Sequence, residues 1–200
     1  MADTGVKVDR GTPPATRRAV EMLPAIVDVL RRRGPAGFQL GTIAEDLGTS
    51  SRMLIYHFGS RDDLLSHVMR VVRRDTVSEL SSPAPGTLIE AIDRWWVYYM
   101  KHLSDIQLFF HLASRRFEEP GRFDEFASTA IDSWRDYFAG AIVAEGHGYH
   151  YAQVLGRLVI GTLRGITADY LITGDRERVE EALDEFRSLL RAGLGDSARA

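Results

Sequence analysis

This sequence contains no cysteine. That excludes disulfides and thiolate metal sites, and it fits a reducing cytoplasm. No apolar run approaches the roughly 20 residues that a membrane-spanning helix needs. No stretch of useful length alternates apolar and polar residues as a half-buried strand does. There is no fixed-period repeat and no low-complexity tract. A G-x-S-x-G elbow, a phosphate-binding loop and a dinucleotide fingerprint are all missing, so no residue argues for an enzyme and no catalytic group is expected. Glu145, His147 and His150 lie close together, but the histidines flank Gly148 rather than forming a regular i, i+4 helical pair. They read as a solvated loop, and no metal or cofactor is expected. Residues 1–15 lack a signal-peptide core; they are polar, with Gly5, Gly11, Pro13 and Pro14, and read as a flexible arm.

What is present is an ordinary globular composition of 200 residues, 44% hydrophobic and 26% charged, with a net charge of −3. The charge is unevenly spread. Up to Glu79 there are 12 Lys and Arg against 10 Asp and Glu, a balance of +2, which leaves −5 for the remainder. A mildly positive head on an acidic body suits nucleic-acid contact through the head alone.

The most informative stretch is Ile43 to Leu65, IAEDLGTSSRMLIYHFGSRDDLL. Ile43, Ala44 and Leu47 share one helical face. Gly48 ends that helix, because glycine accepts the left-handed conformation at little cost. Thr49 or Ser50 caps the next helix, 51–58. Leu54 and Phe58 form its buried face, and Ser51, Arg52, Ile55 and Tyr56 face outward. Two helices joined by a short glycine turn, the second presenting polar and aromatic groups, have the geometry that enters a DNA major groove. Ser60 with Asp63 then opens a longer helix, close to a capping box.

Gly34 to Leu65 resembles the DNA-binding domain of the tetracycline-repressor (TetR) family of transcription regulators. The residues that carry the likeness are Gly34, Ile43, Ala44, Gly48, Ser50, Leu54, the run Ile55-Tyr56-His57-Phe58, Ser60, Arg61 and Leu64. It extends over the first helix, which contains Leu23. Arg52 and Met53 stand where the family usually has a small residue and a threonine, and Ile55 where it has a tyrosine. Gln39 replaces the usual Ser or Thr cap, and Arg61 the usual lysine. The resemblance implies DNA contact through Gln39, Leu40, Ser50, Ser51, Arg52, Ile55, Tyr56, His57, Ser60 and Arg61.

Along the chain, helices are expected over 16–33, 40–47, 51–58, 60–80, 87–102, 104–117, 120–145, 149–172 and 176–192. The fold class is therefore all-α with about nine helices. In the first, Val20, Leu23, Val27 and Leu30 form the apolar stripe, and Pro24 predicts a kink or break near Leu23. The clearest interruption is Ser81-Ser82-Pro83-Ala84-Pro85-Gly86, followed by the capping pair Thr87 and Glu90. The chain divides there into an arm (1–15), a helix-turn-helix head with its linking helix (16–80) and a larger helical domain (81–200).

That larger domain is dense in aromatics. Most belong to a core. The resemblance implies that some line an effector pocket, for which Trp95, Tyr99, Phe110, Trp134 and Tyr137 are the apolar candidates. The polar candidates are His102, His111, Arg115, Thr162 and Asp169. The resemblance further implies a homodimer through the last two helices, with Gly161 and Gly165 on one and Val179, Leu183, Phe186 and Leu190 on the other. The expected function is a ligand-responsive, dimeric repressor of a palindromic DNA operator, released by a small apolar effector. The competing expectation is a helical module whose exposed third helix docks on a protein.

Overall fold

The computed structural model describes residues 17–119 and 123–197, with the side chains of 124, 125, 127 and 195–197 set aside. The arm expected over 1–15 lies outside the described residues. Nine α-helices and one 3-10 turn occupy the described chain, and no strand is found there. They are α1 (Arg17–Arg33), the 3-10 turn (Gly34–Phe38), α2 (Leu40–Asp46), α3 (Ser51–Phe58), α4 (Arg61–Leu80), α5 (Leu88–Lys101), α6 (Leu103–Glu118), α7 (Asp124–Ala144), α8 (Tyr149–Thr173) and α9 (Arg176–Ser197).

Local signals set most of the boundaries. Ser50 caps α3 by accepting from the Met53 N–H at 3.2 Å, so the cap is Ser50 rather than Thr49. Ser60 accepts from the Asp63 N–H and donates to its carboxylate at 2.6 Å. Thr87 accepts from the Glu90 N–H, while Glu90 reaches back to the Gly86 N–H at 2.8 Å. Gly48 and Gly174 hold φ at +62° and +70°, the left-handed turns that stop α2 and α8.

Three expectations need correction. Of the kink or break expected near Leu23, the break is absent: α1 runs through Pro24 without interruption. Pro24 lies on the exposed side, and its missing donor leaves the Val20 carbonyl on a residue that is itself 55% exposed. Water is therefore available where the helix bond is lost. Val20 is consequently not part of the buried face, which is Ala19, Leu23, Ile26, Val27, Val29 and Leu30. Finally, α9 continues beyond Ala192 through Gly193, because Leu194 is buried on the far side of that glycine. The cost of a helical glycine, about 1 kcal/mol, is smaller than the gain from burying a leucine.

The helices sort into two compact units that interleave along the chain. The first comprises residues up to Thr76 together with Tyr99–Ala130; the second comprises Val77–Tyr98 and residues from Ile131 onward. In the first unit Ile26, Leu30, Ile43, Leu54, Phe58, Leu64 and Val68 share one apolar core with Leu108 and Leu112 of α6 and with Phe126. In the second, Trp95, Trp134, Phe138, Ile142, Val159 and Leu163 are buried. Within it α7 and α8 touch at Gly156, where an added Cβ would lie 2.6 Å from the Arg135 carbonyl and 3.2 Å from the Ala139 nitrogen. Any side chain there would push two helix backbones apart.

Candidate nucleic-acid interface

The recognition surface is built by anchoring α3 from below. Leu54 and Phe58 are buried in the head's core, and Ser50 fixes the first turn. The helix rotation that buries these two positions turns Ser51, Arg52, Ile55 and Tyr56 outward, and all four are exposed. Tyr56 is 75% exposed and meets the His57 ring edge-on at 5.2 Å. A phenol so far from the core gains nothing for folding. Arg52 is exposed and has no ion pair among the described residues. Gln39 starts α2 without a side-chain cap bond, as expected of a glutamine, and is exposed; Leu40 is half-buried. Gly59, at φ +89°, turns the chain between α3 and α4 in a conformation that side chains resist.

The other basic groups of the head are engaged within it. Arg32 and Arg33 both bond Asp46 at the end of α2, at 3.2 and 2.6 Å. Arg31 bonds the buried Asp105 of α6 at 2.9 Å. Arg61, at the start of α4, donates from Nε and Nη2 to Asp62 Oδ1 at 3.1 and 3.0 Å. Arg115 of α6 donates from Nε to the other oxygen of the same carboxylate at 3.0 Å. Burial raises the Asp62 carboxyl, but the two guanidinium groups outweigh it and hold the group below its ordinary value of 3.8. None of these cross-helix pairs has a sequence signature, since the partners lie far apart in the chain.

His111, one turn before Arg115 on α6, stacks at 5.7 Å on Phe38 of the 3-10 turn. Its Nε2 is buried without a hydrogen-bond partner. Burial, with the nearby Arg61 and Arg115 charges, pushes the imidazole below its ordinary 6.5 against the smaller pull of Asp62 and Glu118. The unfolded chain therefore binds a proton more readily than the folded one as pH falls below 6.5. Stability from this group is complete above that value and declines beneath it. The melting temperature of the wild-type protein should fall between pH 6.5 and 5, and less steeply in His111→Asn; parallel profiles would refute the assignment. Asp62 acts in a separate window: its contribution is present above 3.8 and is lost only as pH falls through its lower folded value.

The candidate effector residues divide between the units. Tyr99, His102, Phe110 and Arg115 belong to the first, and Trp95, Trp134, Tyr137 and Thr162 to the second. Tyr99 is buried, and Arg115 is taken up by Asp62, Glu118 and Glu119. His102 immediately precedes α6, and Phe110 is half-buried against Phe109 at 5.3 Å. In the second unit the Trp134 ring meets Trp95 at 6.3 Å and Tyr137 at 5.6 Å, both edge-on. Burial pushes the Tyr137 phenol up to about 12. Thr162 donates to the Leu158 carbonyl at 3.0 Å. Two loop and helix groups acquire structural roles: Glu145 accepts the Leu88 N–H at the start of α5, and Arg94 donates to the carbonyls of Leu80 and Pro83, tying down the 81–86 turn.

Of the expected dimer residues, Val179 and Leu183 are 1% exposed and Leu190 is also buried, all within the chain's own fold. An amphipathic stripe signals burial but not by which partner. Among the residues left open on these helices are Val154, Leu158, Gly161, Gly165 and Ile172 of α8, with Leu189 of α9.

Residues 23–68, which run from Leu23 within α1 through α2 and α3 to the first turns of α4, match the family of bacterial regulatory proteins, tetR family. Over this segment the chain is similar to the tetR family. The matched segment holds the helix-turn-helix formed by α2 and α3. Several solved structures share the architecture over nearly the whole chain. A TetR-like transcriptional regulator from Rhodococcus sp. RHA1 is 21% identical, with a TM-score of 0.58 over 92% of this chain and 98% of that one. BioQ, solved with its natural double-stranded DNA operator, is 19% identical, with a TM-score of 0.55 over 88% and 96%. The multidrug-binding protein EbrR, solved with imidazole, is 18% identical, with a TM-score of 0.56 over 92% and 96%. No curated protein matches the chain. Among the described residues no helix is long and apolar enough to cross a membrane.

Proposed function

We propose that this chain is a dimeric repressor of the tetR type that binds a palindromic operator through α3 and is released by a small, mostly apolar effector. The observation that carries the reading is the exposed face of α3, where Arg52 and Tyr56 serve no packing role while Leu54, Phe58 and Ser50 hold the helix rigid beneath them. Gln39, Leu40, Ser51, Ile55 and His57 flank this face, and Ser60 with Arg61 begins the adjoining helix, whose free N–H groups favour a backbone phosphate. BioQ, of the same fold, was captured on its operator.

Residues 16–80 supply the head in this reading, and 81–200 supply the effector and dimer functions. The dimer surface is the open face of α8 with Leu189, joined by the half-buried Phe186. Gly161 and Gly165 have no atom within 4 Å of an added Cβ, so nothing among the described residues asks for glycine there. A close-packed second copy does. The effector site falls among Trp95, Trp134, Tyr137 and Thr162, where aromatic rings outnumber polar groups. EbrR, of the same fold, was captured with a small heterocycle.

The test is a gel shift with the duplex upstream of the chain's own gene against an unrelated duplex of equal length. Preference for the upstream duplex of about 10³ or more is expected of a specific operator. Equal retardation of both, or none, would leave the protein-docking reading of α3 instead. An inducer must weaken operator binding, and linkage requires operator to weaken the inducer by the same factor.

A further inference from the structure

Arg61 stands where a backbone phosphate is expected, yet its guanidinium is held by Asp62 through two hydrogen bonds of 3.1 and 3.0 Å. Asp62 is buried and lies in the first turn of α4, the same positive helix end that a phosphate would use. A carboxylate there competes with phosphate twice, once for the helix end and once for Arg61. Its second oxygen is occupied by Arg115 Nε at 3.0 Å, from α6. The remaining two nitrogens of Arg115 bind Glu118 and Glu119. One guanidinium thus serves three carboxylates. Arg61, Asp62, Arg115, Glu118 and Glu119 together carry one net negative charge, and without Arg115 they carry two.

We propose that Arg115 is a positioning residue for DNA binding: by taking the second oxygen of Asp62 it prevents that carboxylate from holding Arg61 outright, and so leaves Arg61 able to pass to a DNA phosphate. The inference rests on reading the head as a DNA-binding module and extends it to α6, a helix that never touches DNA in this scheme. Arg61 exchanges one anion for another at little cost while Asp62 keeps Arg115. Deprived of Arg115, the buried carboxylate has only Arg61 to neutralise it, and surrendering Arg61 would leave a buried charge unpaired. The exchange then becomes unfavourable, and the unbalanced acids repel the incoming strand.

The experiment measures affinity of the full-length protein for the upstream duplex and for an unrelated duplex across a salt series. The wild type is compared with Arg61→Ala, Arg115→Gln and the double variant. Arg115→Gln should weaken both duplexes alike, by about tenfold, and lower the slope of log affinity against log salt by about 0.9, the loss of one phosphate contact. Arg61→Ala should give the same slope change alone and add less than about twofold on top of Arg115→Gln, since both remove one contact. Additive effects, or an unchanged slope in Arg115→Gln, overturn the proposal. Because Arg115→Gln also strips a partner from a buried carboxylate, Asp62→Asn/Arg115→Gln provides the control. Removing the competing acid should restore the slope, and a folded double variant that keeps the shallow slope counts against the idea. A wild-type protein that binds no DNA at any salt concentration would instead remove the DNA-binding reading itself.

Discussion

Gly161→Glu is expected to abolish tight operator binding while leaving each subunit folded. The position is on the open face of α8, and a side chain there meets nothing within 4 Å in its own subunit. Subunit folding therefore has no reason to change, and the far-UV circular dichroism of the variant should match wild type. In the proposed dimer the same position is at a close helix crossing. Two-fold symmetry would bring the new carboxylates of both copies into one small, desolvated patch beside Leu158 and Gly165. Burying unpaired charge of that kind costs several kcal/mol per ion, more than a modest helix interface returns. Operator affinity then suffers through geometry. A dimer presents two recognition helices to two half-sites, and the second half-site binds at the high effective concentration set by the first. Loss of the dimer removes that advantage, a fall of roughly 10²- to 10⁴-fold. Sedimentation should show wild type as a dimer at micromolar concentration and the variant as a monomer. A monomeric wild type, or a dimeric variant, would place the interface elsewhere.

The contrast between Gly156 and Gly161 shows what a single sequence reveals about helix packing. Both lie on α8, five residues apart, and sequence alone marks each only as small. The structure gives them opposite roles: Gly156 is pressed against the backbone of α7, and Gly161 faces open space. Which glycine serves the subunit and which is left for a partner depends on how α8 is rotated against α7. That rotation is a property of the whole bundle, not of local pattern.

Helix boundaries are a different matter, because their causes are local. Ser50, the pair Ser60 and Asp63, the pair Thr87 and Glu90, and the left-handed glycines at 48 and 174 act within four residues of themselves, and each was legible. Pro24 misleads for the same reason. The rule it triggers is local, whereas its outcome depends on which side of α1 faces water. The pairs Arg31 with Asp105 and Arg115 with Asp62 bridge 74 and 53 positions, so no window contains both partners. They draw α6 into the head's compact unit although it lies beyond the 81–86 interruption in chain order. A sequence of acids and bases on α6 reads equally well as a solvated face.

Arg52→Ala is the substitution expected to weaken operator binding most among single side chains of the head. Arg52 is the second residue of α3, exposed, and engaged by no acid among the described residues, in contrast to Arg31, Arg32, Arg33 and Arg61. An arginine free of internal partners, on a helix whose other face is fixed by Leu54 and Phe58, can offer its planar fork to a guanine. Two parallel hydrogen bonds to O6 and N7 are the commonest specific contact of this kind and contribute about 1–3 kcal/mol of discrimination. Affinity for the true operator should therefore fall about ten- to a hundredfold, and one base position should lose its preference. Affinity for unrelated DNA should fall far less, because that binding is carried by phosphate contacts that Arg52 does not make in this scheme. The distinction from Arg61 is sharp: loss of Arg61 should change the salt slope on every duplex, whereas loss of Arg52 should change the ranking of duplexes with the slope nearly kept. A binding-site selection run in parallel on wild type and Arg52→Ala reads this directly. If both proteins return the same consensus, and both duplexes weaken by the same factor, Arg52 contacts phosphate only and the sequence is read by other residues of α3.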